Sequence, residues 1–201
     1  MYVTCLDLEG VLVPEIWIAV AEKTGIEELR LTTRDISDYD VLMKKRIGIL
    51  TEHNLKLKDI QDVIETLDPM PGAREFLDEL RLNCQTVILS DTFSQFALPL
   101  MKKLGMPTIF CNELIVNEND EVVDYKMRQN NGKFHAVKGF QSMNLDVIAS
   151  GDSFNDLEMI KNSQKGFLFR SPQHIIDSNP TIQAFTEYSE LLDAIKKEIS
   201  E

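Results

Sequence analysis

Three short apolar runs in this chain each end abruptly in acidic or hydroxyl side chains, which confines it to few folds. The runs are Cys5-Leu6 before Asp7-Leu8-Glu9-Gly10, Val87-Ile88-Leu89 before Ser90-Asp91-Thr92, and Val147-Ile148-Ala149 before Ser150-Gly151-Asp152. Apolar runs of this length bounded by turn residues read as buried strands of a parallel sheet. Charge at such a place costs several kcal/mol unless it meets a cation or dense hydrogen bonding. Parallel strands bring their carboxyl ends to one edge, so Asp7, Glu9, Ser90, Asp152 and Asp156 can share a cleft there. Asp7 and Glu9, two residues apart, project to one face of an extended segment while Leu6 and Leu8 face the core. On these residues alone, the alternative that the two acids merely open a surface loop stays open.

The rest of the chain has the grammar such a sheet requires. After Pro14 the spacing of Ile16, Trp17, Val20 and Ala21 becomes helical and closes at Gly25; Tyr39, Leu42, Met43, Arg46, Ile47 and Leu50 mark a second helix, and Ile60, Val63, Ile64 and Leu67 a third that stops before Pro69 and Pro71. Beyond Gly72 helices and strands alternate: helix 73 to 82, strand 86 to 89, helix 94 to 104, strand 108 to 110. Leu114 to Val116 and Val122 to Met127 read as a hairpin, and a helix, the strand at Val147, a further helix, a strand at 166 to 169 and a terminal helix near 191 to 199 follow. The expected architecture is α/β: a Rossmann-like parallel-sheet core over residues 1–14 and 71–201, with residues 15–70 as a helical cap inserted after strand one, and a small β-hairpin. The cap should lie over the carboxyl ends of the strands, where open sheets hold ligands.

Composition removes several classes of function. The 201 residues suffice for a real core, and 33 acidic against 21 basic residues give a net charge of -12, which opposes binding to nucleic acid. Lys44-Lys45-Arg46 is too short a basic cluster to reverse that. No signal-peptide pattern opens the chain and no apolar run approaches the length of a membrane helix, so no membrane association is expected. Cys5, Cys84 and Cys111 are odd in number and lie in or beside apolar runs, as reduced thiols of a cytoplasmic protein would. Exposed apolar positions on the cap leave a homodimer open.

Clustered carboxylates repel unless a cation sits among them, and an oxygen-only set suits Mg²⁺ with waters and a substrate phosphate as its other ligands. His53, His135 and His174 show no zinc-ligand spacing. Beside Mg²⁺, Asp7 is the candidate nucleophile for a phosphorus centre, splitting hydrolysis into two steps through an aspartyl-phosphate. Glu9 is the candidate acid and base, near the reacting atoms and off the metal. Ser90 can hydrogen-bond a transferring oxygen, and either Lys133 or Lys138 can offset the phosphoryl charge; Gly132 beside Lys133 favours a close approach there.

Taken together, Asp7 to Val11, Ser90, Lys133 and Gly151 to Asp156 resemble, in order, the four signatures of the haloacid dehalogenase superfamily, with Glu9 where its first signature has a second aspartate. Receiver domains of signalling proteins use similar residues, but they phosphorylate an aspartate at a later strand and carry no cap after strand one. The cap and Leu-Asp-Leu-Glu-Gly-Val-Leu-Val-Pro-Glu are similar to the phosphoserine phosphatases, nearest to the phosphoserine phosphatase/homoserine phosphotransferase branch, with Glu9 and Leu-Ser-Asp-Thr-Phe as its marks. The resemblance implies Mg²⁺, phosphoserine as substrate and homoserine as a second acceptor. It makes Asp7 nucleophile and metal ligand, gives Glu9's backbone carbonyl and Asp152 to the metal, and places Asp156 behind the cluster as a brace. It assigns Glu15 to the substrate ammonium and Arg46 to its carboxylate, with Thr92 and Asn155 near the phosphate; a solvated helix face is the rival account of Arg46, and packing that of Met43. Another small phosphomonoester as substrate, or a catalytically quiet phospho-ligand-binding protein, are the remaining alternatives.

Overall fold

The computed structural model describes residues 1–32, 35–36 and 38–200. Seven strands form one sheet in the order β4-β3-β2-β1-β5-β6-β7. They are β1 (Tyr2–Leu6), β2 (Gln85–Phe93), β3 (Thr108–Val116), β4 (Val122–Lys126), β5 (Asp146–Gly151), β6 (Lys165–Phe169) and β7 (Gln183–Phe185). All neighbours run parallel except β3 and β4. β1 is central, paired with β2 through Leu6↔Ile88 and with β5 through Leu6↔Ser150. Chain order reverses direction about β1, which makes its carboxyl end the point where flanking connections diverge and leave a crevice.

Alternation along the strands divides the core in two. Val3, Cys5, Val87, Leu89, Val147, Ala149 and Leu168 pack on one face with Val137 of α6 (Gly132–Ser142) and Met159 and Ile160 of α7 (Leu157–Asn162). Leu6, Ile88, Ile148, Phe167 and Phe169 line the other face. There they meet α4 (Ala73–Arg81), α5 (Ser94–Lys103) and α9 (Tyr188–Ser200). A five-residue helix, α8 (Gln173–Asp177), adds Ile175 to the first face.

The second cluster continues without a break into the inserted helices α1 (Ile16–Thr24), α2 (Tyr39–Glu52) and α3 (Leu57–Glu65) through Val20, Met43, Leu50, Ile60 and Ile64, and takes in Leu29 of the 3₁₀ turn Glu27–Arg30. Gly25 closes α1 in the left-handed conformation, its N–H reaching the Ala21 carbonyl. Asp38 caps α2, accepting from the N–H groups of Asp40 and Val41. The inserted helices meet the sheet side at several seams. Trp17 packs edge-on to Phe96 of α5 at 5.4 Å, Met70 N–H donates to the Leu12 carbonyl, and Leu57 N–H and Lys58 N–H both reach Asp120 in the β3–β4 turn.

Three details differ from the sequence reading. The strand at 108 and the first arm of the hairpin are one strand, β3, long enough to pair with β2 at its start and with β4 at its end. β7 and α8 lie in a stretch too polar and too short to give a periodic signal. β1 ends at Leu6, so Asp7 and Glu9 belong to the turn beyond it and do not continue its alternation; Leu6 and Leu8 are nonetheless both fully buried in the core, as expected.

Candidate active site

The turn after β1 is wound tightly enough to point its acids in different directions. Leu12 N–H and Val13 N–H both donate to the Leu8 carbonyl, Gly10 N–H donates to Val13, and Leu8 N–H donates back to Asp7 Oδ1. Gly10 has a φ of 76°, and a Cβ there would stand 2.5 Å from Asp152 Oδ2, so the position needs glycine both for its conformation and for the approach of a carboxylate. Asp7 N–H donates to the Ser150 carbonyl, which ties the start of the turn to β5.

Asp7 therefore faces β5 and α6. Its Oδ1 lies 2.8 Å from Lys133 Nζ, and the same ammonium contacts Asp156 Oδ1 at 2.7 Å and stands 3.9 Å from Asp91 Oδ2. Lys133 is the second residue of α6, which starts at the end of the loop following β4 and turns the side chain inward. Asp156 is fully buried in the 3₁₀ turn Phe154–Asp156 and accepts from Asp152 N–H, Ser153 N–H and Ser153 Oγ. Asp7, Asp152 and Asp156 each place a carboxylate oxygen within 4.8 Å of the others'.

Charge in this cluster does not balance. Burial works against the Lys133 ammonium, but Asp156, Asp7 and Asp91 outweigh it and hold its pKa well above the ordinary lysine value. Burial and the Asp156 carboxylate push the Asp7 carboxyl well above the usual range, with Lys133 pulling the other way. Asp152 is raised to about 6 by burial, Asp156 and Glu15. One ammonium facing three close carboxylates leaves an excess of buried negative charge, and an all-oxygen set of this kind fits a hard divalent cation. Asp7, Asp152 and Asp156 are thus a group that could hold Mg²⁺.

Glu9 faces the inserted helices, and its carboxylate is not in that three-acid group. Its Oε2 accepts from Ile16 N–H at the start of α1 at 2.9 Å. Burial and neighbouring Glu15 raise its pKa to about 7, against the Ile16 N–H and Arg46. Glu15 occupies the N-cap position of α1 and is exposed.

Arg46 is buried, which removes the solvated helix face as its explanation. Its guanidinium stacks 4.6 Å over the Trp17 ring, and its Nη2 donates to the Leu31 carbonyl at 2.8 Å. Its Nη1 lies 3.8 Å from Met43 Sδ, so Met43 packs against the guanidinium, while Nε is buried without a partner. Burial lowers the Arg46 pKa to about 10, with Tyr39, Glu9 and Glu15 opposing.

The β2 end is a bulge. Pairing with β3 passes from Leu89↔Phe110 to Phe93↔Asn112, so Ser90, Asp91 and Thr92 stand out of register at the edge. Ser90 and Thr92 are buried, and Ser90 Oγ accepts from Thr92 N–H at 3.2 Å. Asn155 is exposed and donates from Nδ2 to Asp91 Oδ2 at 2.9 Å.

The geometry thus gathers Asp7, Lys133, Asp152 and Asp156 at one point, with Ser90, Thr92 and Asn155 at the neighbouring strand end and Glu9, Glu15 and Arg46 on the side of the inserted helices. Lys138 is exposed and bonded to Gln141, whereas Lys133 is buried against Asp7 and Asp156. His53, His135 and His174 are all exposed, and Cys5, Cys84 and Cys111 are free thiols. Two neighbours of the cleft have no counterpart among the residues singled out from the sequence. Asp91 was visible only as part of the polar end of β2, and Tyr39, counted among the apolar stripe of α2, puts its hydroxyl 3.1 Å from the Asp91 carbonyl.

A family model described as haloacid dehalogenase-like hydrolase matches residues 5–164. The chain belongs to that family. Within the haloacid dehalogenase-like hydrolases it is 56% identical over 189 residues to a protein of Pseudomonas syringae pv. tomato named phosphoserine phosphatase, covering 94% of this chain and 80% of the relative. It is 54% identical over 191 residues to phosphoserine phosphatase ThrH of Pseudomonas aeruginosa, covering 95% and 93%. The fold also matches a solved phospho-aspartyl intermediate analogue of phosphoserine phosphatase, with a TM-score of 0.77, 21% identity and coverage of 96% and 98%. No helix among the described residues is long and apolar enough to cross a membrane.

Proposed function

We propose that this hydrolase is a Mg²⁺-dependent phosphoserine phosphatase that works through an aspartyl-phosphate on Asp7, with residues 15–70 acting as the substrate-selecting cap. The observation that carries the choice of substrate is Arg46: a buried guanidinium with an unpartnered Nε, set beside Glu9 and Glu15. A guanidinium suits a carboxylate and the exposed acid Glu15 suits an ammonium, so the pair selects an amino-acid phosphate over a plain phosphate ester. The names of the two Pseudomonas relatives support the same substrate.

In this reading Asp7, Asp152 and the Glu9 backbone carbonyl hold Mg²⁺, with Asp156 bracing them. When bound, the ion neutralises phosphate oxygens and the excess carboxylate charge. One Asp7 oxygen attacks phosphorus and the serine oxygen leaves, taking its proton from Glu9; water then attacks the aspartyl-phosphate and gives a proton back to Glu9, releasing phosphate and restoring Asp7. A pKa near 7 suits a group that must donate in one step and accept in the next. Lys133 offsets the charge between Asp7 and the phosphoryl group, while Ser90, Thr92 and Asn155 offer hydrogen bonds to its oxygens.

The longer Glu9 side chain, drawn toward the inserted helices by Ile16 N–H, favours a second reading in which an alcohol such as homoserine takes the place of water. Phosphate release from a panel of phosphomonoesters with Mg²⁺, repeated with homoserine and with products identified, tests both. Phosphoserine should be preferred over phosphoethanolamine, which lacks the carboxylate; equal rates contradict the Arg46 assignment. Formation of phosphohomoserine supports transfer, and phosphate as sole product refutes it.

A further inference from the structure

Asp91 is a crossing point to which the reaction above gives no role. Its carbonyl oxygen accepts from the Tyr39 hydroxyl at 3.1 Å and from Asn112 Nδ2 at 3.0 Å. Its carboxylate accepts from Asn155 Nδ2 at 2.9 Å and stands 3.9 Å from Lys133 Nζ. The inserted helix α2, the strand β3, the 3₁₀ turn bearing Asn155 and helix α6 therefore all meet on one residue of the β2 bulge. The bulge explains why: Asp91 falls where the pairing of β2 with β3 skips, which leaves its carbonyl to side-chain donors.

Tyr39 is well placed to use that carbonyl. It opens α2 and lies two turns before Arg46, on the same side of the helix. Its ring stands edge-on to Tyr125 of β4 at 5.8 Å, and the Tyr125 hydroxyl in turn donates to Asp40 Oδ1 at 2.8 Å. Packing thus fixes the ring, and the hydroxyl contributes a single bond bridging 52 residues of sequence. Burial and Asp91 raise the phenol's pKa, so it stays a donor across the physiological range.

We propose that Tyr39 is a positioning residue whose hydroxyl latches α2, and with it Arg46, onto the Asp91 carbonyl, tying recognition of the substrate's amino-acid end to the arrangement of the phosphate-binding edge. The inference rests on the phosphoserine reading. A substrate held by Arg46 draws on the latched position of α2, whereas a phosphate ester without a carboxylate does not.

Tyr39→Phe removes the hydroxyl and keeps the ring. Loss of one such hydrogen bond should lower kcat/KM for phosphoserine about fivefold, chiefly through a higher KM, and leave ethyl phosphate within about twofold. Without substrate, amide hydrogen exchange in the variant should quicken in the first turns of α2 and at residues 91 to 93 while β1 and β5 keep their protection. An equal loss on both esters, no loss on either, or faster exchange throughout the sheet would overturn the latch. If the wild-type enzyme does not turn over phosphoserine, the proposed function falls by itself, and unchanged exchange in α2 would then overturn the latch separately.

Discussion

Lys133 is surrounded by carboxylates at a depth where charge is normally excluded, with Asp7 at 2.8 Å and Asp156 at 2.7 Å. Removing one partner of a buried ion pair leaves the others unpaired, so Lys133→Met should lower the unfolding free energy at pH 7 by about 3–5 kcal/mol as well as activity. Urea denaturation measures the first, and a variant as stable as wild type would contradict the buried-cluster account. Glu9 makes a prediction of opposite kind. Its pKa rises from 4.5 to about 7 on folding, so the folded protein favours its protonated form. The associated stability is present below 4.5 and is lost as pH rises through about 7. In EDTA, Glu9→Gln should therefore gain stability relative to wild type between those values and keep that gain above 7; a constant difference across the range would show that Glu9 titrates normally.

The elements owe their function to how they end. The turn from Asp7 to Val13 is gripped from outside the cleft: the Tyr188 hydroxyl of α9 donates to the Val11 carbonyl at 2.5 Å, and Tyr188 stacks on Phe76 at 5.0 Å. Tyr188→Phe should cost about 1 kcal/mol of stability, read as a lowered denaturation midpoint, because a buried carbonyl loses its donor. Gly10→Ala should be worse for activity than for folding, since its Cβ would displace Asp152. Phosphate release should fall at least about tenfold on the loss of aligned charge stabilisation, and wild-type turnover would show that the approach to Asp152 does not matter. The sequence made the ends of β1, β2 and β5 legible because buried parallel strands are unbroken apolar runs and any acid after them stands out. It left Glu9's direction open, because strand alternation stops at Leu6 and the turn beyond it obeys its own hydrogen bonds. Tyr39 was hidden for a related reason: an aromatic residue on a helical stripe looks like core, and only the folded chain shows where its hydroxyl points.

At the scale of the whole molecule, the sheet and the inserted helices share one apolar cluster, and Glu9 joins the β1 turn to α1 by accepting from Ile16 N–H. Most of the order of helices and strands was readable from periodicity, because short connections and parallel strands leave few topologies; the polar stretch that holds α8 and β7 was not. What could not be read was the division of labour across the cleft, which depends on contacts between residues far apart in sequence, such as that of Lys133 with Asp7. In the proposed reaction Asp7 carries the phosphoryl group between phosphoserine and water. Acid quenching of the enzyme during turnover of phosphoserine with Mg²⁺, followed by peptide mass analysis, tests this directly. One added phosphoryl group is expected on the peptide bearing Asp7, absent in Asp7→Asn together with phosphate release; phosphate release by Asp7→Asn at the wild-type rate would rule out the aspartyl-phosphate at this residue.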